Sequence, residues 1–233
     1  MAHLESITSQ LAKSLRVAII GSDQNAVFGR ELLLSSQPDF KVVFLGHSLQ
    51  LELQALSLLT FDVLLLDQVP TDLTASRLIN GLGALFLASG QDLPPVIVTA
   101  PFHSKRLEVE LIDAGATSLL SIEQPTEDLL AGLRSAAEDR YSYDLADLLD
   151  SFPAFGTPAI ADSSFLGAIF DLDDADRQII ANLKAQSLNI RLSGSEAPSA
   201  TKIKRGLRDL SHQLGMHTSK QLIYRLWQAG ELG

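Results

Sequence analysis

The chain has 233 residues, 46% of them hydrophobic and none of them cysteine, and carries a net charge of −10. This excludes a globally disordered polymer, a disulfide framework, a thiolate metal site and a cysteine nucleophile, and the length suits two domains. No stretch approaches the ~18 consecutive apolar residues of a membrane span, so the reading is a cytoplasmic protein with no membrane partner.

In chain order, Leu4, Ile7, Leu11 and Leu15 give residues 1–15 the pattern of a short amphipathic helical extension, not that of a secretion signal. Five βα units then occupy residues 16–140. Arg16–Ile20 is a strand, and the loop Gly21–Asn25 leads into a helix ending near Gln37-Pro38. Lys41–Gly46 is the second strand, followed by a helix near Leu49–Leu59. The third, Val63–Leu66, is apolar throughout and too short for a helix, as a strand buried on both faces must be. Asp67 stands where it emerges. A helix near Ala75–Ala88 precedes the strand Pro94–Thr99. The helix Ser104–Ala114 is stopped by Gly115, Ser118–Ser121 makes a fifth strand, and Thr126–Arg140 is helical with acids in its first turn. The fold class is therefore α/β, a doubly wound five-stranded parallel sheet with helices on both faces.

Residues 141–171 break the rhythm and read as a linker, with a short helix at Asp144–Asp150. Phe152, Phe155, Phe165 and Phe170 are too apolar for a solvated tether and call for packing on one of the domains or on a second copy. Residues 172–233 are helical throughout. Leu172, Ile179, Ile180 and Leu183 form one apolar stripe, and Ile203, Leu207, Leu210 and Leu214 a second, in a helix starting near Ser199. Leu222, Ile223, Leu226 and Trp227 face inward on a last helix, Ser219–Ala229. Charge divides with the architecture: the balance is −12 up to residue 170 and +2 beyond it. Such asymmetry suits an acidic regulatory or enzymatic module joined to one that faces DNA.

Open α/β sheets place their chemistry at the carboxyl edge, where Asp67, Asp23 after the first strand, and Thr99 at the end of the fourth converge. Two carboxylates and a hydroxyl there suit Mg²⁺, which prefers oxygen ligands. Here the stretches Val17–Asp23, Phe61–Pro70, Pro94–Ala100 and Ala114–Leu129 resemble the receiver domain of bacterial response regulators. The resemblance implies that Asp67 is the phospho-acceptor, Asp23 and Asp67 the metal ligands, Thr99 the switch hydroxyl, and a sensor histidine kinase the phosphoryl source. Ser22 stands where the family has a second acid, which weakens the implied Mg²⁺ site. Ser121-Ile122-Glu123 carries no lysine where the family pairs one with the phosphoryl group, and Pro70 comes one residue early.

The stretches Leu172–Ile180, Ser199–Leu207 and Leu214–Leu222 resemble the LuxR/NarL-type helix-turn-helix domain. That resemblance implies a transcription regulator that binds double-stranded DNA as a homodimer, paired through the receiver face near its fourth and fifth helices. Leu226 and Trp227 of the last helix are further candidates for pairing. Ser199, Thr201, Lys202 and Arg205 suit a major groove, while Lys204 and Arg208 suit phosphates. Gly194 and Pro198 argue against a full supporting helix in Asn189–Pro198. The alternative is a protein-interaction regulator that kept the architecture without DNA recognition. An enzyme of the doubly wound class lacks a nucleophile–base pair, and Gly81-Leu82-Gly83 fits no nucleotide loop. His103, His212 and His217 show no metal-ligand spacing.

Overall fold

The computed structural model describes residues 14–47, 53–67, 73–101, 104–137, 163–187, 200–216 and 218–232. Its sheet is built from β1 (Leu15–Gly21), β2 (Phe40–Gly46), β3 (Val63–Asp67), β4 (Val96–Ala100) and β5 (Ser118–Ser121). All pairings are parallel and the order is β2-β1-β3-β4-β5. The chain steps outward from β1 to β2 and then returns to the other side of β1. The crevice between β1 and β3 is therefore the topological switch point, where doubly wound sheets accept ligands.

Side-chain alternation sorts the central strands between two cores. Val17, Ile19, Val63 and Leu65 face one layer, closed by α1 (Gln24–Ser35) and α5 (Thr126–Ala137) through Val27, Leu34, Leu129 and Leu133. Ala18, Ile20, Leu64 and Leu66 face the other, closed by α2 (Leu53–Ser57), α3 (Leu73–Ala88) and α4 (Lys105–Ala114). β3 is buried at every position, so each of its leucines contributes about 1.5–3 kcal/mol. At the amino edge, ion pairs clasp the sheet: Arg16 to Asp62 at 2.7 Å, and Arg134 to Asp39 at 2.7 Å with its guanidinium over the Phe40 ring.

Each of the five expected strands forms, within two residues of its expected ends. The helix expected near Leu49–Leu59 is described only as α2, and the helices expected at residues 1–13 and Asp144–Asp150, like the segment Asn189–Pro198, lie outside the described residues. Within the segment read as linker, Ser163–Phe170 is a helix, α6. Its SSFLGAIF sequence is strongly apolar, and Phe165 is buried in the same cluster as Leu172, Ile180, Leu207, Leu210 and Leu222. Phe170 is exposed, whereas Phe152 and Phe155 lie outside the described residues.

The remaining helices are α7 (Asp174–Ser187), α8 (Ala200–Gln213) and α9 (Ser219–Gln228). A Cβ on Gly206 would sit 2.5 Å from Ile179 Cδ1, so the bare backbone there leaves room for the Ile179 side chain of α7. Among the described residues no helix is long and apolar enough to cross a membrane.

A second bare position lies at the switch point. A Cβ on Gly21 would meet the Asp67 carbonyl oxygen at 2.8 Å and Val27 Cγ2 at 2.7 Å. The first of these is backbone and cannot rotate away. Gly21→Ala should therefore cost about 1–3 kcal/mol by overpacking, measured as a lower urea midpoint; unchanged stability would mean that β1 and β3 yield freely there.

Candidate functional site

Gly21 pairs with Asp67 across β1 and β3, and Thr99 follows Val98, the partner of Leu66, on β4. The sheet register thus brings the ends of three strands together, as the sequence reading requires. Thr99 Oγ1 donates to Asp67 Oδ1 at 2.7 Å, and both side chains are buried. Asp67 is 0% exposed.

The third member of the site is Arg30. Its Nε donates to the same Oδ1 at 3.0 Å, and its side chain retains only 20% exposure. On α1 the inward residues are Val27 and Leu34, so Arg30, three after one and four before the other, shares the face that packs on the sheet. Helical side chains lean toward the N-terminus, here the carboxyl edge of the sheet, which carries the guanidinium back to Asp67. A buried carboxylate without a cation is strongly unfavourable. Removing one partner from such a pair costs about 3–5 kcal/mol.

Asp23 takes another role. It is the N-cap of α1, its Oδ1 accepting from the Asn25 amide at 2.8 Å and the Ala26 amide at 3.3 Å. The carboxylate expected to face Asp67 across a metal is therefore engaged with the helix end. Among the described residues no three of His, Cys, Asp and Glu gather at a metal-binding distance. With Ser22 in place of a second acid and a guanidinium against Asp67 Oδ1, this donor set does not fit Mg²⁺, which needs several oxygens around one point and is repelled by a neighbouring cation.

On the helical unit, Arg205 and Arg208 are exposed while Leu207 and Leu210 are buried, so α8 turns its basic side outward. Ser199 lies outside the described residues, and Thr201, Lys202 and Lys204 belong to the helix by backbone alone.

Sequence reasoning missed the joint between the two units. α9 packs along α4, with Val109 and Ile112 of α4 entering the core of the helical unit. Lys220 Nζ donates to the Thr117 carbonyl at 3.2 Å, and the Gln221 side-chain amide donates to the Asp113 carbonyl. Arg225 meets the Asp113 carboxylate, Nη2 donating to Oδ2 at 3.1 Å while Nε lies 2.7 Å from Oδ1. His212, at the end of α8, pairs with Asp92. Burial holds the Asp113 pKa up despite Arg225, and raises that of Tyr224, which also feels the Asp113 charge. α9 thus covers part of the α4 face expected to pair two copies. Leu226, also expected at a pairing surface, is fully buried, and Trp227 stacks on Tyr224 at 6.1 Å.

No protein-family model matches the chain, and no curated protein matches it. Among solved structures it is similar to a LuxR-family two-component response regulator from Aurantimonas sp. SI85-9A1, with TM-score 0.49 and 12% identity over 55% of this chain and 87% of that one. It is similar to the response regulator ChrA of a heme-sensing two-component system, with TM-score 0.44 and 18% identity over 94% and 99%. It is also similar to the response regulator RcsB in complex with DNA, with TM-score 0.47 and 15% identity over 92% and 98%. At these scores the likenesses decide nothing about function, which rests on the residues described above.

The joint should respond to pH. Burial, against a smaller opposing effect of Glu108, pulls the Lys220 pKa down from 10.5 to about 8. Below about pH 8 docking carries the whole cost of burying an ammonium. Between about 8 and 10.5 the docked Lys220 has released its proton while an exposed one still holds it, so docking strengthens as pH rises through that window. The urea midpoint of the wild type, relative to that of Lys220→Met, should rise across it; parallel curves would place the ammonium in water.

Proposed function

We propose that this chain is a DNA-binding transcription regulator of the response-regulator type, in which a degenerate receiver module governs a LuxR-type helix-turn-helix unit. The observation that carries the reading is the pairing of two features in one chain. A buried Asp67–Thr99 hydrogen bond sits at the switch point of a 2-1-3-4-5 parallel sheet, and an outward basic helix, α8, sits on a second, helical core that α4 also joins.

In this reading α8 enters the major groove of double-stranded DNA. Thr201, Lys202 and Arg205, with Ser199 before the helix, approach base edges, while Lys204 and Arg208 approach phosphates. Two copies then address half-sites one helical turn apart, about 34–36 Å. While α9 lies on α4, a second copy has no access to Val109 and Ile112, so pairing through that face requires α9 to move. A phosphorelay from a sensor kinase has less support, because Asp67 is buried and already engaged by a cation.

A mobility-shift assay tests the proposal. Affinity for a cognate fragment should fall steeply between about 50 and 200 mM salt. Arg205→Ala should cost about 1–3 kcal/mol and relax sequence preference, whereas Arg208→Ala should weaken all sequences alike and reduce the salt slope by about 1. Failure to retard any genomic fragment would sink the reading in favour of a regulator that acts through protein contacts alone.

A further inference from the structure

We propose that Arg30 is a built-in cation that closes the acidic centre, so that Asp67 is held without Mg²⁺ and does not accept a phosphoryl group. The proposal rests on the receiver reading of Asp67 and concerns how that site is regulated.

Three observations converge on it. Asp67 Oδ1 receives two hydrogen bonds from the protein itself, one from Thr99 and one from Arg30. Its other oxygen, Oδ2, is buried, with no hydrogen-bond partner among the described residues. Nucleophilic attack on phosphorus needs a carboxylate oxygen open to the incoming group, with positive charge free to meet the phosphoryl oxygens. Here the nucleophile is enclosed and the neighbouring positive charge is spent on it. Thirdly, Asp23 caps α1, and among the described residues no cluster of acids forms around Asp67 to collect a divalent ion.

The position of Arg30 makes this a fixed arrangement. Arg30 is carried on the buried face of a helix packed against β1 and β2, not on a loop. A guanidinium stays protonated at any physiological pH and cannot be washed out as a metal can. Thr99, the hydroxyl that the family resemblance assigns to switching, is turned to Asp67 and donates to the same oxygen as Arg30.

The test uses the full chain and four proteins: wild type, Ser22→Asp, Arg30→Ala and the Ser22→Asp/Arg30→Ala double variant. Ser22→Asp restores the acid that the family carries, and Arg30→Ala removes the internal cation. Calorimetric titration with Mg²⁺ should give no binding heat and no rise in melting temperature for wild type or for Ser22→Asp. It should give clear uptake for the double variant, at least ten-fold tighter than for Ser22→Asp. Should Arg30→Ala fail to fold, Arg30→Gln removes the charge and keeps a hydrogen-bond donor in both backgrounds. Intact-mass measurement after acetyl phosphate and Mg²⁺ should find no added phosphoryl group on wild type.

A phosphoryl adduct on wild-type Asp67, or equal Mg²⁺ binding by Ser22→Asp with and without Arg30, would overturn the proposal. An adduct would at the same time strengthen the receiver reading. Loss of the functional reading shows instead in the DNA assay, so the two failures are told apart.

Discussion

A carboxylate with no solvent exposure at the end of the most deeply buried strand must be matched by positive charge, and this chain supplies it from within. Much of the sheet module is arranged around that need. β1 ends in a glycine whose missing side chain lets Asp67 lie close. β4 contributes Thr99 to the same oxygen, and α1 is capped by Asp23 so that its second turn carries Arg30 to the right depth. Replace the arginine by a dissociable metal and the same scaffold becomes a conditional site. With the arginine, the electrostatic balance is written into the covalent chain.

The second constraint is the joint between α9 and α4. It is a mixed interface: apolar contact from Val109 and Ile112, polar contact from Lys220, Gln221 and Arg225 onto Asp113 and Thr117. Partly burying the Arg225 guanidinium with the Asp113 carboxylate adds little net stability, since desolvation offsets most of the attraction. Such a contact selects one orientation of two units without welding them.

The architecture was legible because β3 and its neighbours obey simple rules. Leu64, Leu65 and Leu66 leave no solvent face, which only a sheet covered on both sides allows, and the convergence of Asp67 with Thr99 follows from parallel topology. Arg30 was not read, although a signal was present. Val27, Arg30 and Leu34 recur at three and four, which puts a cation on an inward face and demands an anion nearby. Asp23 was read for metal binding because its place after β1 suits a ligand and an N-cap equally well, and only the amides of Asn25 and Ala26 decide between them. Lys220 and Gln221 gave no signal at all. Two polar residues in a first helical turn look solvated until the carbonyls of Thr117 and Asp113, more than a hundred residues away, are brought against them. The helix at Ser163–Phe170 was hidden by the proline-rich stretch before it, which drew the whole segment into the linker.

α9 touches both units at once. Leu222 and Leu226 sit in the helical unit together with Leu207 and Leu210 of α8, while its first turn and Arg225 grip the sheet module. A single stiff rod therefore spans the boundary, with no intervening hinge of its own. Because the same rod lies against α8 on one side and α4 on the other, the direction of the basic helix is tied to the sheet through side-chain contact. The rod therefore sets how the two units are aimed.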